Sequence, residues 1–119
     1  MLDLDTSWNG LHFALTGKPF GGEPPVAWAV YSEIASGIAN ISYVSARQVA
    51  EIASALAVID DESFLRQIQA SSGSAHGLYR AGNLSKRATQ HHYLRLFHKL
   101  RAFYANVARH GAAVLQRIA

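Results

Sequence analysis

A mixed α/β, helix-dominated fold is what this sequence predicts, with a small sheet flanked by helices and a long C-terminal helix leading into a short strand. Three observations predict it. Apolar residues recur at helical spacing through residues 85–110, a Ser-x-x-Gln box stands at Ser45, and short strand-capable stretches lie at 38–44 and 112–118. A chain of 119 residues is a common size for one domain, expected over residues 1–119. Half the residues are hydrophobic and only 16% are charged, which excludes a disordered chain.

The elements follow in order. Trp8, Leu11, His12 and Leu15 fall on one helical face, so residues 5–15 read as a first helix that Gly17 ends. Pro19, Gly21, Gly22, Pro24 and Pro25 make residues 17–25 a loop. Pro25 suits the first turn of a short helix over 26–31. Residues 38–44 alternate as a short strand. Ser45 and Gln48 then form a capping box for a helix over 45–57, with Val49, Ile52, Ala53 and Leu56 inward. Asp60 or Asp61 caps a further helix that buries Phe64, Leu65 and Ile68.

After a serine- and glycine-rich loop over 71–82 comes the long helix. Tyr93, Phe97, Leu100, Tyr104 and Val107 step by four and three residues, Leu96 and Phe103 widen the stripe, and Gly111 ends it. Residues 112–118 are the final strand.

Composition narrows the function classes. Without cysteine there is no disulfide, thiolate nucleophile or zinc–thiolate site. The start Met1-Leu2-Asp3-Leu4-Asp5 is acidic where a signal peptide is basic, and the longest apolar run, 26–31, is far short of the about 20 residues a membrane span needs. A cytoplasmic location is expected, with no membrane partner. Neither a G-x-x-x-x-G-K-[ST] nor a G-x-G-x-x-G pattern is present, and no cofactor is expected. His91 and His92 point to different faces and His91 and His98 stand seven apart, so no metal site is expected either.

The net charge of +3 hides a division. All eight acids lie at or before Glu62, whereas nine of the eleven lysines and arginines lie after it, giving −6 before and +9 after. Either the two halves neutralise each other by packing, or the basic half meets an anionic partner. Arg87, His91, Arg95, His98 and Arg109 form one ridge of the long helix opposite its apolar stripe, with Lys99 beside it. Arg87–His91, His91–Arg95 and Arg95–Lys99 are i, i+4 pairs with no acid between them. When both members are charged, each costs roughly 0.2–0.5 kcal/mol. Lys86 and Arg87 also stand at the positive end of the helix dipole. Lys86, Arg87, His91, Arg95, His98 and Lys99 are therefore candidate partner-binding residues. An acidic protein fits better than nucleic acid, because no exposed aromatics interleave the ridge and no binding motif is present.

A second candidate site is small-molecule binding by Asp5, Trp8, His12 and Thr16, with Tyr43. It rests on polar groups one helical turn apart, His12 beside the Thr16 hydroxyl being the minimum of an activated nucleophile. No residue is assigned a catalytic role.

The block Leu2-Asp3-Leu4-Asp5-x-x-Trp8-x-x-Leu11-His12-Phe13-x-Leu15-Thr16-Gly17 resembles the YfbM-like family, a bacterial domain of unknown function. Gly22-Glu23-x-Pro25, Tyr43 before Ser45, Leu78-Tyr79 and Gly111-x-Ala113-Val114 follow in the family's order. The resemblance implies helices around a small sheet and no established activity. It also implies a further N-terminal segment with a strand, which this chain lacks, so the last strand is expected to want a neighbour and to favour homo-oligomers. The family's long helix usually opens with acids, and this one opens with Lys86-Arg87. A non-catalytic protein-binding module follows from these readings, and an immunity or antitoxin role would fit its size and charge.

Overall fold

The computed structural model describes residues 2, 8–16, 23–30, 41–71 and 87–117. Along the chain run α1 (Trp8–Thr16), a 3-10 turn (Val26–Trp28), β1 (Ile41–Val44), α2 (Ala46–Ala57), α3 (Asp61–Ser71), α4 (Arg87–Arg109) and β2 (Val114–Arg117). The predicted class is the observed one: helices dominate, the sheet is small, and the long helix leads into a short strand.

Local chemistry explains the boundaries. At α2 the Ser45 N–H donates to Gln48 Oε1 at 2.9 Å and the Gln48 N–H to Ser45 Oγ at 3.2 Å, which completes the predicted capping box. Of the two aspartates at the start of α3 it is Asp60 that caps, its Oδ1 accepting the Ser63 N–H at 2.7 Å. That bond, with help from the Ser63 hydroxyl and the Arg66 charge, holds the Asp60 carboxyl below its ordinary range. At its far end α4 stops one residue earlier than expected, at Arg109. Gly111 takes φ 62°, the left-handed conformation that glycine adopts without strain, and the Gly111 and Ala112 N–H groups turn back to the carbonyls of Ala108 and Val107.

Three expectations are corrected. The helix expected over 26–31 is a single 3-10 turn, closed by i→i+3 bonds from Trp28 to Pro25 and from Ala29 to Val26, the usual form for so short a piece. The last strand starts two residues later than predicted, at Val114, while the described part of the strand expected over 38–44 is Ile41–Val44. The last strand does have a neighbour: β2 pairs antiparallel with β1, in the register Ile41–Arg117, Ser42–Gln116, Tyr43–Leu115 and Val44–Val114. Alternation then turns Ser42, Val44, Val114 and Gln116 inward and Tyr43 and Leu115 outward. Residues 5–7, 17–22, 31–40, 72–86 and 118 of the predicted elements lie outside the described residues.

The core lies where α2 and α3 pack on α4, with α1 against α3, α4 and the 3-10 turn. Val49, Ile52 and Leu56 of α2 meet Phe64 and Ile68 of α3 and Tyr93, Leu96, Phe97, Leu100 and Tyr104 of α4. The Phe64 and Phe97 rings stack at 4.5 Å between centroids.

Burial leaves polar groups to satisfy, and one network does so. The Tyr104 hydroxyl donates to the Ala29 carbonyl at 2.6 Å, while the Gln116 side-chain amide donates to the Trp28 carbonyl and to the Tyr104 hydroxyl. It ties α4, β2 and the 3-10 turn together. Burial pushes the Tyr104 phenol up to about 12, against a lowering by the Gln116 hydrogen bond.

Candidate functional site

The apolar stripe of α4 fixes which of its basic residues face outward. With Tyr93, Phe97, Leu100 and Tyr104 buried, Arg87, His91, Arg95 and Lys99 are exposed, as the periodicity predicts. Among the described residues none of these four side chains makes a hydrogen bond or an ion pair. Further along the same arc Ala102, Ala105 and Asn106 are exposed. Arg109 donates to Asn106 Oδ1 at 3.0 Å. Lys86 lies outside the described residues.

His98 behaves differently. It sits on the edge of α4 that faces α3, and its Nε2 lies 2.8 Å from Asp61 Oδ1. Arg101, one turn on, reaches the same oxygen at 3.9 Å, donates to the Ile59 carbonyl at 3.1 Å, and stacks its guanidinium over the Phe97 ring at 5.0 Å. So, among the described residues, acids of the first half do neutralise bases of the second along this edge. His98 belongs to that internal pairing, and the exposed ridge reduces to Arg87, His91, Arg95 and Lys99.

Sequence reasoning missed the part played by Asp61 and Arg101. The available signal was two adjacent acids at a helix start that needs one cap. Once Asp60 takes the cap, Asp61 is left to reach across to α4.

Of the second candidate set, His12, Thr16 and Tyr43 lie among the described side chains. His12 is buried, 1% exposed, on the inner face of α1. The Thr16 hydroxyl donates its one proton to the His12 backbone carbonyl at 2.9 Å rather than to the imidazole, so the ring does not activate it. Tyr43 is 40% exposed and lies opposite Leu115 on the outward face of the sheet. Asp5 and the Trp8 side chain lie outside what is described. Among the described residues no group of three His, Asp or Glu side chains could hold a metal ion, and no helix is long and apolar enough to cross a membrane.

Comparison with known proteins adds a family. The model of the Domain of unknown function (DUF1877) matches residues 1–116, almost the whole chain. The chain matches no curated protein and no solved structure.

Proposed function

The chain belongs to the DUF1877 family, whose function is unknown, and from that premise we propose a non-catalytic protein-binding module that uses the exposed ridge of α4. One observation carries the reading. Arg87, His91, Arg95 and Lys99 stand in succession at i, i+4 spacing, all exposed, with no acid paired to any of them among the described residues. Elsewhere on the same helix His98 and Arg101 do have an acid, so the fold supplies one where a cation serves its own packing. A row of basic side chains left without acids is best accounted for by an acidic protein surface outside the chain. The setting we assign is cytoplasmic, and the biological form closest to this reading is an immunity- or antitoxin-like inhibitor.

The alternative, a small-molecule site or enzyme around Trp8, His12 and Thr16, has less to stand on, since the Thr16 proton is committed to the backbone and Tyr43 faces away from the core. The test is a pull-down from the source cell with the wild-type chain and with the triple variant Arg87→Glu, Arg95→Glu, Lys99→Glu. The wild type should retain an acidic protein that is released by raised salt, and the triple variant should not. A partner held equally by both proteins overturns the reading.

A further inference from the structure

We draw no further inference here: the strongest candidate, the outward face of the sheet where Tyr43 of β1 and Leu115 of β2 stand exposed opposite each other, carries nothing because nothing in the structure shows what covers it.

Discussion

α4 carries cations on two edges, and the fold treats them in opposite ways. On the edge toward α3, His98 and Arg101 share the Asp61 carboxylate, and Arg101 also takes up the Ile59 carbonyl and lies over Phe97. On the outward arc, Arg87, His91, Arg95 and Lys99 have no such partners among the described residues. The same helix and the same residue types are thus part of the packing on one side and surplus to it on the other. The lesson is that positive charge in the second half of this chain is not of one kind. Where it lies beside another element it is neutralised, and where it faces outward it is left for something else.

The contrast can be broken most severely from beneath. Phe97→Ala removes the ring that stacks on Phe64 and supports the Arg101 guanidinium. It should cost about 3–5 kcal/mol in urea unfolding. A loss under 1 kcal/mol would mean that the inner edge of α4 is not anchored by this stack.

Next comes Tyr104→Phe, which deprives the Ala29 carbonyl and the Gln116 amide of their shared hydroxyl. A loss of about 1–3 kcal/mol is expected. It also has a pH signature. The folded phenol ionises only near 12, above its ordinary value of 10.0, so its contribution is whole below pH 10 and is lost as pH rises toward 12. Urea titrations across that window should show the wild type losing stability there more steeply than Tyr104→Phe. Parallel curves would remove Tyr104 from the account.

The two edges themselves are separated by a smaller and more telling pair. Asp61→Asn should cost up to about 1 kcal/mol, because the side chains it serves are partly exposed, and strong salt should shrink that cost. Arg95→Glu should do the reverse. It turns the like-charge i, i+4 pair with Lys99 into an opposite-charge pair and should raise stability by a few tenths of a kcal/mol. Opposite signs for these substitutions would establish the division, whereas destabilisation by both would show that the outward arc also serves the fold.

Much of the fold was legible because its determinants are local. The Ser45–Gln48 box, the stripe of α4 and the stop at Gly111 each depend on residues a few positions apart, and periodicity and capping chemistry read such features directly. The exposed face of α4 was legible for the same reason, since it is the complement of the stripe. What escaped depends on distant residues. Asp61 and His98 stand 37 positions apart, Ala29 and Tyr104 stand 75 apart, and Trp28 and Gln116 stand 88 apart. Nothing in the local pattern at Gln116 distinguishes it from a surface glutamine. Its role appears only when β2 pairs with β1 and alternation turns it inward beside Ser42. The same distance effect hid the partner of His98, which lies on the ridge by angle and bonds Asp61 of α3.

The pairing of β1 with β2 also sets the order in which the protein can assemble. Val44 and Val114 close a span of about 70 residues that contains α2, α3 and α4, and closure over such a length carries an entropic cost that these helices must offset by packing first. Contacts of this sequence separation slow folding relative to a bundle of neighbouring helices. During synthesis, a nascent chain that has not yet released residues 114–117 from the ribosome has no donor for the Trp28 carbonyl and no strand beside Val44. The α2, α3 and α4 packing thus comes before the network that joins Tyr104, Gln116 and the 3-10 turn, which forms only with β2 in place.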